Sequence, residues 1–436
     1  MEILRAVMVI PANLHLVVTL SVFALTLVLV LTKPRGMDES WATVLGGSLM
    51  LLLGLENVSQ AVQTISDGSS VLVFLLALCL FSGLLDKAGF FEWAALHTTR
   101  MSKGSGTRLY LNVFLLGGAT TALLSLDTTA IILTPVVLSF VRHLNLKSTA
   151  FLVACVFVSN TGSLLLPVSN LTNLLFQSAF HYDFARFSIV MILPQIVALL
   201  TNYLLLLLVF KMDLPAAFDA GELPDPKSAV KDVVYFRASL VVFLLVLIGY
   251  FAGSIFRVQP YVIASLGCVL LGAVGIVRRQ LDFSILSKDI PWSLFPFVAG
   301  LFVVIRGVEN LGLSEFAAAQ LNTLGTNPFM QILVTAFGAA LGSNVINNIP
   351  MALLAISVLG HSHAPIAAQY GALLGCNLGP NLTVAGSLAT MLVISTARKK
   401  GAHLSAFAFF KIGLFITPVL LLVSSAALWV SLMIFR

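Results

Sequence analysis

The chain has 436 residues, of which 59% are hydrophobic and only 10% are charged, and its mean hydropathy is +1.03. A soluble domain carries about 25% charged residues, so this composition indicates a polytopic membrane protein and excludes a soluble globular one. The formal net charge is +6 without a basic run interleaved with aromatic residues, so we expect basic loops in the cytoplasm and no nucleic-acid partner.

Ten apolar stretches approach the length of about 20 residues that a membrane span requires. The first is too long for a signal-peptide core and no small-residue cleavage pattern follows it, so we expect it to be retained in the bilayer. The predicted spans lie at about 9–31, 41–56, 70–85, 149–177, 186–210, 237–255, 260–277, 291–308, 366–396 and 404–434.

Two further apolar stretches, at about 108–141 and 328–360, are too long for one span and too short for two spans with a loop. Each carries small and polar residues at its middle, so each predicts a re-entrant hairpin that enters and leaves on the same side. Non-helical backbone at that depth requires surrounding protein or a wet cavity.

The basic residues are unevenly distributed between the two sides of this arrangement. If the loop after the first span is cytoplasmic, most of the 24 Lys and Arg residues are cytoplasmic, whereas Arg5, Arg186, Arg257 and Arg436 are external. We therefore expect a multi-pass protein of the inner (plasma) membrane with both termini external. Counting each hairpin as two full spans also returns the chain to the same side, so the charge bias is compatible with both versions.

The longest polar segment, 211–236, predicts a cytoplasmic linker between a first repeat at 1–210 and a second repeat at 237–436. Each repeat would hold five spans, one of them a broken helix (about 149–177 and about 366–396), and one hairpin. An odd number of spans per half inverts the second half, which is the plan of many secondary transporters. The predicted fold class is an all-α polytopic membrane protein with an inverted repeat of five spans plus one re-entrant helical hairpin per half, and with discontinuous helices at the midplane.

A single offset relates polar residues of the two halves. Asn160 and Asn377 are 377 − 160 = 217 residues apart, and Asp127 and Asn344 are 344 − 127 = 217 residues apart. The same offset places the segment 169–173 on 386–390. Because one offset aligns motifs that are far apart in each half, it supports the predicted repeat.

Four polar breaks fall at the centres of spans or hairpins, at 125–129, 159–163, 343–348 and 377–381. A broken helix frees backbone N–H and C=O groups, which can bind a polar solute together with nearby Asn, Ser and Thr side chains. Such residues also cap helices and join neighbouring helices, but four symmetrically placed breaks favour a central site. The candidate substrate-binding residues are Ser125, Thr128, Thr129, Asn160, Thr161, Ser163, Asn344, Asn347, Asn348, Cys376, Asn377 and Asn381.

Asp127 is the only acidic or basic residue in the apolar run from Leu109 to Val141. An acid at membrane depth costs several kcal/mol unless it is protonated, paired or hydrated, so it is usually kept for a function. The structural alternative is an acid that caps a helix end or bonds a neighbour. We expect Asp127 to carry the proton or cation that drives transport.

The four breaks offer amides, hydroxyls and one acid but no Arg or Lys, which favours a small hydroxylated solute or a small cation over a carboxylate substrate. A thiol ligand at Cys376 is one alternative, although buried free Cys usually packs as a small apolar residue. The four cysteines show no CxxC spacing and predict no disulfide framework and no resident metal or cofactor. Arg306 and Glu309, one helical turn apart, predict an ion pair.

The sequence lacks the features of several enzyme classes. There is no P-loop, so we expect no ATP hydrolysis by the chain itself. The spans contain no Ser-His-Asp set, no HExxH motif and no paired carboxylates, so a membrane-embedded enzyme is not expected.

Five groups of residues carry a resemblance to a known family: 84–97, Asp127 with 132–135, 167–173, 347–350, and 375–380 with 386–390. At these positions the chain resembles the ArsB family of arsenite/antimonite efflux transporters, within a wider ion-transporter superfamily. The resemblance runs nearly end to end. It implies inverted repeats with two hairpins, export of trivalent arsenic or antimony hydroxides in exchange for protons, and, in some members, a soluble ATPase partner.

The chain departs from this family pattern at several positions. Leu126 and Thr128 flank Asp127 where Asn and Gly are familiar, Asn377 replaces an Asp of some members, and Asn381 replaces a Lys of others. Asp127 is then the only acid predicted for the core. The alternative within the superfamily is a sodium/proton or other small-ion antiporter, which we would expect to show more than one acid there.

Overall fold

The computed structural model is helical throughout the part of the chain that it describes. Within that part no strand occurs, and eight helices are long and apolar enough to cross a membrane. The prediction of an all-α polytopic membrane protein is therefore confirmed. The predicted start of the first span at residue 9 and both termini lie outside the described residues, which are 12–219, 224–281, 290–322, 325–399, 401–402 and 404–435.

The helices are numbered here in chain order. They are α1 (Ala12–Thr32), α2 (Glu39–Leu52), α3 (Val58–Asp67), α4 (Ser69–Lys87), α5 (Phe90–Met101), α6 (Gly106–Leu123), α7 (Leu126–His143), α8 (Ser148–Thr161), α9 (Leu171–Phe180), α10 (Phe184–Phe210), α11 (Val233–Phe256), α12 (Pro260–Val277), α13 (Leu294–Glu309), α14 (Leu313–Asn322), α15 (Pro328–Ile346), α16 (Asn348–His361), α17 (Ile366–Leu378), α18 (Leu388–Lys399) and α19 (Ala406–Ile434).

Most predicted spans correspond to single helices, but one span end is wrong. The span predicted at 41–56 ends at Leu52, because the chain turns at Gly54 with a φ of +68°. The side chain of Asn57 then accepts a hydrogen bond from the Gln60 N–H at 2.8 Å and starts a separate helix, α3. Glu56 therefore lies in a connection between two helices.

The two stretches predicted as broken helices are discontinuous. Helix α8 ends at Thr161, and two short 3₁₀ turns, Gly162–Leu164 and Pro167–Ser169, separate it from α9. Helix α17 ends at Leu378, and the 3₁₀ turns Gly379–Asn381 and Val384–Gly386 separate it from α18. The predicted inverted relation between the two halves stays a prediction.

Each predicted hairpin consists of two helices with a sharp break between them. In the first, α6 and α7 are separated at Leu124 and Ser125, and α7 contains a π-helical turn at Thr129–Leu133. In the second, Asn347 separates α15 from α16 with a φ of +75°, which is the left-handed region that few non-glycine residues adopt. Both breaks fall where the sequence placed the hairpin centres.

The chain forms two compact units. The first contains 1–73, 291–325 and 353–364, and the second contains 74–290, 326–352 and 365–436. In the first unit α2 packs against α1 and α13 around a core that includes Met50, Leu55 and Val304. The predicted division into repeats at 1–210 and 237–436 concerns sequence similarity and stays a prediction.

In the second unit α15 and α17 approach each other closely. Gly371, Gly375 and Gly379 occur at every fourth position of this segment, and a Cβ at Gly375 would lie 2.1 Å from the Ala336 carbonyl oxygen. Small residues at such spacing allow helix backbones to pack at short range in membranes. This contact fixes the position of α17, the helix that ends in the second break.

Candidate functional site

The first break is held by side chains that replace the missing helical hydrogen bonds. The Leu164 N–H donates to Gln195 Oε1 at 2.8 Å, and Gln195 Nε2 donates to the Thr161 carbonyl at 2.9 Å. Asn173 Nδ2 donates to the Ser163 carbonyl at 2.7 Å. Because unpaired backbone groups are costly away from water, these bonds make a non-helical turn stable in the interior.

Asn377, near the end of α17, joins the second break to the first. Its Oδ1 accepts hydrogen bonds from Thr172 Oγ1 at 3.0 Å, from Ser163 Oγ at 3.3 Å and from Asn170 Nδ2. Its Nδ2 donates to Asn173 Oδ1 at 2.7 Å. The Asn377 side chain is fully buried, so protein groups satisfy its amide.

A second set of bonds joins the same two breaks. Asn160 Nδ2 donates to Asn381 Oδ1 at 3.1 Å and to Thr390 Oγ1 at 3.0 Å, and Ser387 Oγ donates to Asn160 Oδ1 at 3.1 Å. Asn381 Nδ2 donates to Thr161 Oγ1 at 3.0 Å. We call the combined set the amide network; it consists of Asn160, Thr161, Ser163, Asn170, Thr172, Asn173, Asn377, Asn381, Ser387 and Thr390.

The second hairpin contacts the second break. Asn344 Nδ2 donates to the Gly379 carbonyl at 2.8 Å, and Asn344 Oδ1 accepts from Thr383 Oγ1 at 2.8 Å. Asn347 Nδ2 donates to the Ala385 carbonyl at 3.0 Å. The hairpin centre therefore binds the loop that follows α17, and its amides satisfy backbone carbonyls that the break leaves free.

Two buried amide oxygens have no hydrogen-bond partner among the described residues. They are Asn348 Oδ1, at the start of α16, and Asn202 Oδ1, on α10. Asn202 still uses its Nδ2 to donate to Thr161 Oγ1 at 2.8 Å. Buried polar atoms are normally paired, so these two oxygens are acceptors available to water or a solute.

The hydroxyls of the first hairpin bond one another and a neighbouring helix. Ser125 Oγ accepts from the Thr128 N–H at 3.1 Å and so caps α7. Thr128 Oγ1 lies 2.8 Å from Ser82 Oγ on α4, and Thr129 Oγ1 lies 2.8 Å from Thr121 Oγ1 on α6. In this structure these three predicted site residues fix the shape of the hairpin turn.

Asp127 occupies the first turn of α7 between the buried residues Leu126 and Thr128, and is itself partly exposed. The cap of this helix is Ser125, and no residue in the described ranges donates a hydrogen bond to the Asp127 carboxylate or forms an ion pair with it. The helix N-terminus favours a negative charge, whereas the apolar surroundings disfavour it. The carboxylate is therefore free for a proton, a cation or a hydroxylated solute.

The structure unites some of the predicted site residues and separates others. Five of them (Asn160, Thr161, Ser163, Asn377 and Asn381) belong to the amide network. In the part of the chain that the structure describes, no hydrogen bond links this network to the group formed by Ser125, Thr128 and Thr129, or to Asp127. The Cys376 side chain is fully buried.

Two residues of α10 were missed from sequence. Gln195 and Asn202 are polar positions within an apolar helix and are seven residues apart, which places them on one face two turns from each other. That spacing is the signal that could have identified them. The sequence predicts that the motifs at 169–173 and 386–390 are repeats, but it does not predict that their side chains form hydrogen bonds with the buried amides.

No group of three or more His, Cys, Asp or Glu side chains among the described residues could hold a metal ion. The amide network consists of uncharged donors and acceptors. Such a set offers both donors and acceptors of hydrogen bonds without a formal charge.

The fold is similar to those of two solved transporters. The Alcanivorax borkumensis YdaH transporter matches with a TM-score of 0.59 at 17% sequence identity, over 95% of this chain and 98% of that one. Neisseria gonorrhoeae MtrF, described with a class of antimetabolite efflux pumps, matches with a TM-score of 0.54 at 13% identity, over 85% and 83%. The chain thus shares a multi-helix fold with both of these proteins.

Sequence comparison identifies the family. The family model "ArsB: Arsenical pump membrane protein" matches residues 18–432. The arsenical pump membrane protein of Escherichia coli is 34% identical over 416 residues, which cover 94% of this chain and 97% of that protein. A 46 kDa membrane protein of Mycobacterium leprae is 26% identical over 430 residues, covering 95% and 98%. The chain belongs to the ArsB family of arsenical pump membrane proteins.

Proposed function

We propose that the chain is a secondary active transporter that exports trivalent arsenic and antimony hydroxides from the cytoplasm in exchange for protons. The observation that carries the proposal is the amide network, which joins the two broken helices through uncharged groups only. Family membership supplies the substrate class, because the relatives are named arsenical pumps. We assign the protein to the inner membrane with both termini external.

The network suits a neutral hydroxide. Arsenous acid is uncharged near neutral pH and presents hydroxyls that both donate and accept hydrogen bonds. Such hydroxyls can take the places of Ser163 and Thr172 at Asn377, and of Thr390 at Asn160. Each protein hydrogen bond has a net value of only about 0.5–1.5 kcal/mol, so their replacement by bonds to a solute is nearly neutral. The two breaks can therefore separate when substrate enters, without stranding buried amides.

Asp127 is the proposed coupling residue. Its carboxylate has no hydrogen-bond or ionic partner in the described part of the chain, and it lies in an otherwise apolar hairpin. An acid in this setting is stable when it holds a proton and costly when it is charged and dry, so proton binding and release change the energy of the hairpin. A soluble ATPase partner, which the family resemblance implies, is a further element of the proposal and is testable by copurification.

The test is uptake of arsenite into everted membrane vesicles with an acidic interior. We expect accumulation by the wild type, a similar level with the exposed control Asp67→Asn, and none with Asp127→Asn. Proton flux that depends on sodium, without arsenite uptake, would instead identify a sodium/proton antiporter. Uptake of arsenite without an effect of the proton gradient would contradict the coupling.

A further inference from the structure

Glu56 is a second acid that the structure buries. Glu56 is 3% exposed to solvent, and neither its Oε1 nor its Oε2 has a hydrogen-bond partner among the described residues. Glu is almost never fully buried unless it is paired, because a charged carboxylate away from water costs several kcal/mol. An unpartnered carboxyl in such a place is stable only with its proton bound.

The surrounding structure holds Glu56 against α13. The N–H groups of Leu55 and Glu56 both donate to the Met50 carbonyl, at 2.9 and 3.3 Å. The Met50 side chain packs on Gly307, where a Cβ would lie 2.8 Å from its Sδ, and Leu55 shares a core with Val304. The connection between α2 and α3 is therefore fixed on the last turns of α13, all within the first compact unit.

The charged groups that act on Glu56 are Arg306 and Glu309, both on α13. These two residues form the ion pair predicted from sequence, with Arg306 Nη1 at 3.0 Å from Glu309 Oε2. The other titratable side chains on the described parts of helices α1, α2 and α3 around the connection are Glu39 on α2, Asp67 on α3 and His15 on α1.

A cavity of about 400 Å³ opens beside this ion pair, and its lining includes Arg306, Glu309, Ser357, His361 and His363. His361 Nδ1 lies 2.8 Å from the Ser357 carbonyl, which orients the imidazole at the cavity wall. The distribution of basic residues predicts that this end of the molecule is external. The cavity therefore offers water from the external side to the charged groups next to Glu56.

We propose that Glu56 is a second proton-binding residue of the transporter, which exchanges its proton with water of the Arg306–Glu309 cavity and makes transport depend on external pH. In the exchange the carboxyl O–H bond breaks, a water molecule accepts the proton, and the new carboxylate competes with Glu309 for Arg306. The inference rests on the proposed transport function, because its consequence is an effect on transport.

The direction of titration agrees with this geometry. Burial raises the pKa of Glu56 from its ordinary value of 4.5 to about 7, with Glu309 adding to the rise and Arg306 opposing it. Glu56 thus holds its proton below neutral pH and releases it above. The protonated fraction of a group with a pKa near 7 falls about tenfold from pH 6 to pH 8, so the residue responds within the ordinary external range.

The experiment follows the carbonyl infrared band of protonated carboxyl groups in the purified full-length protein from about pH 5 to about pH 9. We expect a component that disappears around pH 7, is absent in Glu56→Gln, and persists in the exposed control Glu315→Gln. Arg306→Gln removes the positive neighbour, so its component should disappear at higher pH. This second variant keeps the test decisive if Glu56→Gln does not fold.

Transport is measured in parallel as exchange of labelled arsenite in proteoliposomes with equal pH on both sides. We expect the wild-type rate to change by up to about tenfold between pH 6 and pH 8, and this dependence to be lost in Glu56→Gln and kept in Glu315→Gln. A carboxyl titration in Glu56→Gln that is identical to that of the wild type, or an unchanged pH dependence of exchange, would overturn the inference. If the wild type carries no arsenite, the proposed function fails while the infrared titration still reports on Glu56.

Discussion

Substitution of Asn377 is the sharpest test of the amide network. Asn377→Ala removes the acceptor for Ser163, Asn170 and Thr172 and the donor to Asn173 and to the Leu373 carbonyl. These are five hydrogen bonds between buried groups, each with a net value of about 0.5–1.5 kcal/mol. We therefore expect a loss of about 2.5–7.5 kcal/mol in the free energy of unfolding, together with loss of arsenite transport.

Asn377→Asp is the matched variant, because it keeps the shape and one acceptor oxygen. That oxygen retains its three donors, whereas the second oxygen faces Asn173 Oδ1 at 2.7 Å and the Leu373 carbonyl at 3.0 Å, both of which are acceptors. A protonated carboxyl resolves the conflict by donating to one of them. We expect Asn377→Asp to fold with a loss of about 1 kcal/mol and to add a further exchangeable proton to the transport cycle.

The assay combines thermal unfolding in detergent, followed by loss of the monodisperse peak, with arsenite uptake into everted vesicles. The order of stability expected is wild type, then Asn377→Asp, then Asn377→Ala. If Asn377→Ala unfolds at the wild-type temperature and transports at the wild-type rate, the network carries neither stability nor substrate. If Asn377→Asp is as unstable as Asn377→Ala, the assignment of its three donors is wrong.

Three further variants test other parts of the structure. Gly375→Ala should destabilise by about 1–3 kcal/mol in thermal unfolding, because its Cβ meets the facing helix at 2.1 Å, whereas Gly338→Ala, with open space around it, should not. Gln195→Leu leaves the Leu164 N–H and the Thr161 carbonyl without partners, so we expect about 2–4 kcal/mol of destabilisation. A wild-type melting curve for this variant would show that Gln195 does not stabilise the first break. Glu56→Gln should match the wild type in stability near pH 5 and exceed it above pH 7. The folded wild type binds the Glu56 proton more tightly than the unfolded chain does, so its stability falls as the pH rises from 4.5 to about 7. Parallel profiles of stability against pH for the two proteins would contradict this prediction.

The breaks in the helices were predictable because they are local. Asn, Ser, Thr, Gly and Pro residues interrupt long apolar runs at 125–129, 159–163, 343–348 and 377–381, and the backbone is irregular within or directly beside each of them. Interruption of an apolar helix by residues that cap or break it is visible without knowledge of the tertiary structure. The sequence therefore predicts where the chain bends, but not which amide bonds which.

The hydrogen-bond partners of the amides and the burial of Glu56 depend on contacts between residues that are distant in the sequence. Gln195 supports the first break from 31 residues away, and Asn160 pairs with Asn381 across 221 residues. Glu56 is buried because the turn at Gly54 ends α2 early and the following connection packs on α13. Hydropathy alone predicts a span at 41–56, and so it places Glu56 inside a membrane segment.

The most direct measurement of the central claim records arsenite and proton movement together in proteoliposomes. An outward arsenite gradient should move protons in the opposite direction in the wild type. Asp127→Asn should still exchange labelled arsenite for unlabelled arsenite, because the amide network is intact, but should move no protons. Arsenite movement without protons in the wild type, or proton movement by Asp127→Asn at the wild-type rate, would contradict the account.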